Sequence, residues 1–351
     1  MMKSKESILR LGFTFAGCYL GAGYVSGQEL WQFFGCFGWK GIGGLLLAVA
    51  LSFFFGVLLL RLVQRTGCDQ TDALVIHRPL PLLRGAVGLL QLLLLFGLLV
   101  IMTAGVSALA AQLFGPSVFW GAAFSVTISC LSLSGTSGMM RVFSAVVPLL
   151  VICSVMVSAF TLRRCAWQFA ITASPERNPL LGNWAVAAIL FFSYNLFSSV
   201  GILAPVGKVT PPKTVWRGVL LGCIMLFSIA LGIVLTLQAS PAAAAEPLPM
   251  LSVAKTLGKG WCGIYALLLF GAMFGTALSC AVALRHYCTA HAPRLTTHSG
   301  SFVFFLAALS WGCSMFGFGE LIGTVYPACG ALGALAMLGL LHHSITLFHG
   351  R

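Results

Sequence analysis

The residues with the clearest potential for chemistry form one short stretch near the start of the chain. Gly21-Ala22-Gly23-Tyr24-Val25-Ser26-Gly27-Gln28-Glu29 sets three glycines and a carboxylate within a long apolar run. If a helix is interrupted at these glycines, its restarting part presents free N–H groups and the part before it presents free carbonyls. Donors for an anion then lie beside acceptors for a cation, so the stretch predicts a site for an amino acid or a related small organic ion. The alternative is that the glycines only allow close helix packing.

Glu29 allows two interpretations, which do not exclude each other. An acidic side chain inside a membrane segment is by default a functional residue that acts as a proton carrier, a cation ligand or a gate. Ser26 and Glu29 also match the S-x-x-E capping box, in which both side chains satisfy free N–H groups of a restarting helix. We therefore expect Ser26 and Glu29 to take part in gating or coupling, and for Glu29 we favour capping and support of the helix over direct chemistry with a coupling ion.

A second polar patch lies within a later apolar run, over residues 191–201, which Pro205 follows. Its hydroxyl and amide groups would be costly if they faced lipid and are useful if they face a substrate. For the serines, hydrogen bonding between helices is an equally good explanation. The predicted substrate-binding residues of the two stretches are Gly21, Ala22, Gly23, Tyr24, Gln28, Tyr194, Asn195 and Ser198.

Thr276, Ser279 and Cys280 follow one another at helical spacing, which places them on one side of a helix. Sodium is a hard cation that prefers oxygen ligands, so Thr276 and Ser279 are candidate ligands and Cys280 is a poor one. Together with carbonyls of the first stretch they would form a sodium site. The alternative is a face of small residues that packs against another helix.

The elements that must position these residues are membrane helices. Of the 351 residues, 59% are hydrophobic and only 8% are charged, which is too little polar surface for a soluble protein. Apolar runs of about 20 residues are long enough to cross a bilayer, and the sequence contains ten of them. The predicted spans cover residues 8–37, 41–64, 84–113, 118–137, 142–162, 183–206, 215–239, 261–287, 300–318 and 320–341.

The basic residues indicate the orientation of these spans. With the N-terminus inside, 14 of the 20 Lys and Arg residues fall on the cytoplasmic side. This bias predicts that both termini are cytoplasmic and that the number of spans is even. The first span carries Gln28 and Glu29 and lacks a convincing cleavage site, so we do not expect a cleaved signal peptide.

The two polar stretches interrupt spans 1 and 6, which are the first spans of two five-span halves, 1–162 and 163–351. Because five is odd, the second half is inverted relative to the first. Paired interruptions in such inverted repeats are typical of the binding site of a transporter. Tyr326-Pro327 in span 10 predicts only a kink.

Other classes of function find little support. The net charge of +13 is spread singly between apolar runs, which argues against a nucleic-acid partner. The twelve cysteines lack metal-ligand spacing and are expected to be small packing residues. No catalytic motif is present, and the histidines, including His342-His343, are expected to be solvated residues at the membrane interface. We predict no enzyme activity and no cofactor, apart from Na⁺ as a possible coupling ion.

The G-A-G-Y-V-S-G-Q-E motif at residues 21–29 resembles the YkvI-like family of bacterial membrane proteins. Ser193-Tyr194-Asn195 and Pro249-Met250-Leu251 add to the resemblance. It implies membership of the amino acid-polyamine-organocation superfamily, and hence an all-α, leucine-transporter-like fold of ten spans with spans 1 and 6 broken. It also implies a multi-pass protein of the bacterial plasma membrane.

The expected function is a secondary active transporter that carries a small amino acid or related organic ion across the lipid bilayer, with sodium as a possible coupling ion. The alternative is a sensor that binds an amino acid without transporting it, because the B subunits of spore germinant receptors resemble the same superfamily. Binding without uptake distinguishes the sensor.

Overall fold

The computed structural model describes residues 2–68, 70–76, 80–133, 139–165, 170–174, 177–291 and 299–349. The predicted end of span 4, at residue 137, lies outside these ranges. Across the described residues the chain is helical, and the only β-type pairing is an isolated antiparallel bridge between Phe37 and Ala173.

Each predicted span coincides with a long helix or, for span 1, with a series of short ones. The long helices are α1 (Met2–Tyr19), α4 (Trp39–Thr66), α6 (Pro81–Phe114), α7 (Phe119–Leu131), α8 (Met139–Arg164), α9 (Trp184–Val209), α10 (Val215–Gln238), α13 (Lys259–His291), α14 (Ser299–Ser314) and α15 (Phe318–His349). The short ones are α2 (Ala22–Ser26), α3 (Gln28–Leu30), α5 (Thr71–Val75), α11 (Pro241–Ala244) and α12 (Pro249–Leu257). A π-helical segment, Trp31–Gly35, directly follows α3.

Six of the long helices are both long and apolar enough to cross a membrane, with mean hydropathies between 1.7 and 2.7. They correspond to α4, α6, α9, α10, α13 and α15, while α7 and α14 are shorter apolar helices. Large apolar side chains also point outward, such as Phe119, Phe304 and Leu267, which are 80%, 76% and 71% exposed. Such a surface suits lipid and not water, so the chain is a multi-pass membrane protein. That all ten segments cross the bilayer stays a prediction.

Helix α9 lies at the centre of the bundle, where it packs along both α4 and α15. Glycines let α15 come very close to it. A Cβ atom built on Gly330 would lie 2.6 Å from the carbonyl oxygen of Leu190, and one on Gly333 would lie 3.0 Å from that of Ser193. This close approach sets the position of every α15 side chain relative to the polar patch of α9.

The structure contradicts the predicted break in span 6, because α9 is a continuous helix. Its polar side chains bond to carbonyls of the preceding turn. The hydroxyl of Ser193 donates to Ile189, the amide of Asn195 donates to Phe191 at 3.0 Å, and the hydroxyl of Ser198 donates to the carbonyl of Asn195 at 2.8 Å. Polar groups satisfied in this way need no unwinding of the helix.

The linker between the two predicted halves is tied to the end of span 1. The N–H of Ser174 donates to the carbonyl of Cys36 at 2.9 Å. From the end of α10, the buried side-chain amide of Gln238 donates to the carbonyls of Gly35 and Thr172, at 2.8 and 3.1 Å. Span 1, α10 and the linker therefore form one connected layer at this end of the bundle.

We predict that Gly330→Ala destabilises the protein, because its methyl group would overlap the backbone of α9. Overpacking of this kind costs about 1–3 kcal/mol, which should lower the Tm of the detergent-purified protein by several degrees. The matched control is Gly312→Ala in α14, where an added Cβ meets nothing within 4 Å. Equal melting temperatures for the two variants would contradict the close approach of α15 and α9.

Candidate functional site

Span 1 is interrupted where the glycine run predicts it. Helix α1 ends at Tyr19, Leu20 and Gly21 are not helical, and α2 then runs only from Ala22 to Ser26. A second irregularity follows at Gly27, whose φ of +86° lies in the left-handed region that favours glycine. The predicted interruption is confirmed, and it is double.

The short helix α2 is anchored to α10 and α13 by the hydroxyl groups of two tyrosines. The hydroxyl of Tyr24 donates to the carbonyl of Leu226 in α10 at 2.7 Å. The carbonyl of Val25, which the interruption leaves free, accepts a hydrogen bond from the hydroxyl of Tyr265 in α13. That hydroxyl also contacts Ser154 in α8, at 3.0 Å. Tyr24, predicted to contact substrate, is therefore used to anchor α2.

The capping box predicted for Ser26 and Glu29 does not form as a pair. The hydroxyl of Ser26 donates to the carbonyl of Gly23 at 2.9 Å and lies 3.4 Å from the N–H of Gln28. Gly27, with no side chain, occupies the cap position of α3. The carboxyl of Glu29 points away from this cap, so its role lies elsewhere.

Glu29 lies in a buried polar cluster between α3 and α9. Its side chain is 3% exposed, and one carboxyl oxygen accepts a hydrogen bond from the hydroxyl of Tyr194. The side chain of Asn195, whose amide donates to the carbonyl of Phe191, also acts on this carboxyl group. The structure thus brings together three residues that the sequence placed in two separate stretches.

Gly23 and Tyr326 complete the cluster. A Cβ atom built on Gly23 would lie 2.7 Å from the second carboxyl oxygen of Glu29 and 3.5 Å from the hydroxyl of Tyr326. The ring of Tyr326 stacks on that of Tyr194, with centroids 4.5 Å apart and planes 21° apart. The sequence predicted only a kink at Tyr326, although a tyrosine beside an intramembrane proline was a usable signal of a polar group at depth.

A large cavity opens at one end of the bundle, next to this cluster. Its volume is about 1410 Å³, and Gln28, Trp31 and Gln32 of span 1 form part of its lining. Arg177 of the linker and Glu320 of α15, both exposed, also line it. Of the eight predicted substrate-binding residues, only Gln28 is part of this lining.

Gln28 and Gln32, one helical turn apart, supply acceptors inside the cavity. Each has a buried side-chain oxygen with no hydrogen-bond partner among the residues that the structure describes. The amide of Gln32 donates to the carbonyl of Gly319 at 3.0 Å, and its oxygen lies 3.1 Å from a Cβ atom built on Gly323. Gln32 was missed in the sequence, although its spacing from Gln28 places both on one face.

The predicted sodium ligands are not directed to a common point. Ser279 is exposed, Thr276 is half-buried and Cys280 is buried. These three side chains therefore lie at the edge of the buried face of α13, and of the three only Cys280 lies fully within that face. The expectation that Thr276 and Ser279 share one ion is not supported by this arrangement.

His343, expected at a solvated interface, is buried instead. It is 4% exposed, and its Nδ1 lies 2.8 Å from the carbonyl of Leu74 in α5. It therefore helps to fix α5 against the end of α15. Within the described ranges, no group of three or more His, Cys, Asp or Glu side chains is placed to hold a metal ion.

Comparison with known proteins confirms the resemblance that the first motif predicts. The chain is 27% identical to YkvI, an uncharacterized membrane protein of Bacillus subtilis, over 347 residues that cover 97% of each protein. It is also 27% identical to the uncharacterized protein YyaD of the same organism, over 55% of this chain and 54% of YyaD. No family model matches the chain.

Two solved structures share the fold. The inward-facing conformation of Mhp1 matches with a TM-score of 0.67 and 14% identity, over 95% of this chain and 75% of Mhp1. The substrate-bound outward-open state of a Na⁺-coupled sialic acid symporter matches with a TM-score of 0.57 and 17% identity, over 95% of this chain and 78% of the symporter. The helix bundle is therefore of the kind found in these two proteins.

We predict that Gly23→Ala disturbs the buried cluster while the fold is kept. The added methyl group would displace the carboxyl of Glu29 from Tyr194, and that carboxyl is the mobile end of a flexible side chain, so the fold can adjust. The control is Gly21→Ala, two residues away, where a Cβ meets nothing within 4 Å. The Tm of the detergent-purified protein should therefore be lower in the first variant than in the second, and equal melting temperatures would contradict the close approach of Gly23 to Glu29.

Proposed function

We propose that this protein is a secondary active transporter that moves a small amino acid or a related organic ion across the bacterial plasma membrane by alternating access. The observation that carries the proposal is the interrupted span 1. Its adjacent residues Gln28 and Glu29 connect an open cavity with a buried polar cluster in the middle of the bundle. Irregular backbone and polar groups at membrane depth are tolerated where they line a pathway or are buried in protein.

The packing of the helices supports two inverted halves, 1–162 and 163–351. In such an arrangement span 1 is structurally equivalent to span 6, and span 2 is equivalent to span 7. The contact of α1 with α10 is then equivalent to the contact of α9 with α4, and both are among the most extensive in the bundle. Helix α6 packs on α13, and α7 packs on α14. In each of these pairs, the two helices would be equivalent members of the two halves. The two halves would move against each other around the site.

The cavity offers groups for both charges of an amino acid. The side-chain oxygens of Gln28 and Gln32 have no partner in the described part of the chain and call for hydrogen-bond donors, which an ammonium group supplies. Arg177 and Glu320 place one charge of each sign on the cavity wall. In the predicted orientation this cavity opens to the outside of the cell, so it is the route by which substrate enters.

The other predicted substrate-binding residues lie deeper in the bundle than the cavity. In this proposal they contact the substrate at a later stage of the transport cycle. Tyr194 and Asn195 lie in the cluster beside Gln28, while Gly21 and Ser198 are half-buried near the interruption. A cavity that extends to the interruption in another state would bring Gly21, Ala22, Gly23 and Ser198 into contact with substrate. Tyr24 is left out, because its hydroxyl is bound to Leu226.

Sodium is one candidate for the coupling ion. The same fold occurs in a Na⁺-coupled symporter, and α13 packs against α2. Because Ser279 is exposed, a sodium site between these two helices would rely on Thr276 and on backbone carbonyls. This is a sparser set of oxygen ligands than the one the sequence predicted.

The proposal is tested by ligand binding and by uptake. Thermal stability of the detergent-purified protein is measured against a panel of amino acids, amines and organic acids, each in sodium and in potassium. A compound that binds only the folded protein raises its Tm, and at 100 times its Kd it adds about 2.7 kcal/mol of stability. We expect a small amino acid to produce such a shift and to accumulate in proteoliposomes under an ion gradient. Binding without uptake would instead indicate a sensor.

We further predict that Gln28→Ala and Gln32→Ala each weaken binding by about 10- to 150-fold, because a lost hydrogen bond to a charged group costs about 1.5–3 kcal/mol. The matched control is Gln70→Ala, which removes an exposed glutamine outside the cavity lining. The ligand concentration at half-maximal thermal shift measures the effect. Unchanged binding in both cavity variants would contradict the placement of substrate on span 1.

A further inference from the structure

The carboxyl of Glu29 is surrounded by neutral groups. In the part of the chain that the structure describes, the side chains that meet this carboxyl are those of Tyr194 and Asn195, from α9. Tyr24 of α2 and Tyr326 of α15 act on it from two further elements packed around α3. None of these side chains carries a positive charge.

Among the described residues, the titratable side chains that act electrostatically on these tyrosines are also neutral thiols. They are Cys223 of α10 for Tyr24, and Cys280 of α13 and Cys329 of α15 for Tyr326. An ionised carboxylate placed among such groups at membrane depth is energetically costly unless a cation compensates it. The compensating cation must therefore be an ion that the site takes up.

The packing at Glu29 leaves little room for such an ion. On one side, a single methyl group added to Gly23 would already lie 2.7 Å from the carboxyl oxygen. On another side, the hydroxyl of Tyr194 already occupies one carboxyl oxygen, and the ring of Tyr194 is held by stacking on that of Tyr326, with centroids 4.5 Å apart. A sodium ion needs several oxygen ligands around it, and a substrate ammonium is larger still. A proton needs no additional volume.

We infer that Glu29 is the binding site of the coupling proton, which makes the protein a proton-coupled transporter; this rests on the transport function proposed above. When the proton is bound, Glu29 is neutral, accepts the hydrogen bond of Tyr194 on one oxygen and carries the proton on the other. Asn195 suits both states, because an amide can accept a bond from the acid and donate one to the carboxylate.

The geometry separates the proton from the substrate by one residue. Gln28 faces the cavity and Glu29 faces the cluster. A proton that leaves Glu29 can therefore reach the cavity past Gln28, whereas the substrate binds on the cavity side of Gln28. Removal of the carboxyl should therefore abolish the coupling and preserve substrate binding. Loss of Gln28, in contrast, should weaken the binding itself.

The first experiment is infrared spectroscopy of the purified protein without substrate, from mildly acidic to mildly alkaline pH. We expect an absorption of a protonated carboxyl group at neutral pH that is lost in Glu29→Gln. It should shift to higher frequency in Tyr194→Phe, which lacks the hydrogen-bond donor. The control Glu246→Gln removes an exposed carboxyl and should leave this absorption unchanged. If Glu29→Gln removes only carboxylate absorption at every pH, the inference is overturned.

The second experiment measures coupling in proteoliposomes that contain a pH-sensitive dye, with radiolabelled alanine as the probe. The wild-type protein should carry protons inward together with alanine. Glu29→Gln should exchange alanine across the membrane without accumulating it and without proton movement. Alanine uptake that is unaffected by the pH gradient, with equal activity in Glu29→Gln, would refute the proton site and leave the transport function intact. An absence of any alanine flux in the wild type, despite a protonated Glu29 in the infrared spectrum, would count against the transport function instead.

Discussion

The hydrogen bond between Tyr194 and Glu29 is the contact on which the arrangement of the site depends. A carboxyl group in the middle of an apolar bundle needs a partner, and the hydroxyl of Tyr194 supplies it. To place this hydroxyl, α9 must remain a regular helix, which its side-chain to backbone hydrogen bonds allow. To make room for the carboxyl, position 23 must lack a side chain. The polar contact between span 1 and span 6 is thus made by matched positions on both helices.

The two irregular turns of span 1 direct neighbouring residues into different surroundings. Gly27 adopts a left-handed conformation and α3 is a single turn, so Gln28 faces the cavity while Glu29 is buried. The π-helical segment that follows brings Trp31 and Gln32 to the same cavity wall; such segments are frequent at functional sites.

The interruption in span 1 is rigidly supported on one side only. Tyr24 and Tyr265 anchor α2 to α10 and α13, whereas Leu20 and Gly21 separate it from α1 and are not helical. In α9, by contrast, no such break exists. The hinge of the proposed alternation of access therefore lies in span 1, between α1 and α2. Helix α1 packs on α10, and α2 is held in place by tyrosine hydroxyl groups.

The sequence by itself determined the membrane class, the positions of the helices and the break at Gly21–Gly27, because apolar length and glycine content act locally. It also selected Glu29, Tyr194, Asn195 and Gln28, since polar groups at membrane depth are conspicuous. Only the tertiary structure decided their partners. It showed that Tyr24 anchors a helix, that Tyr326 and Gln32 join the site, that Ser279 faces outward and that span 6 is unbroken. These outcomes depend on the rotation of each helix and on which carbonyls and side chains lie opposite it, and neither is encoded in the spacing of a single segment.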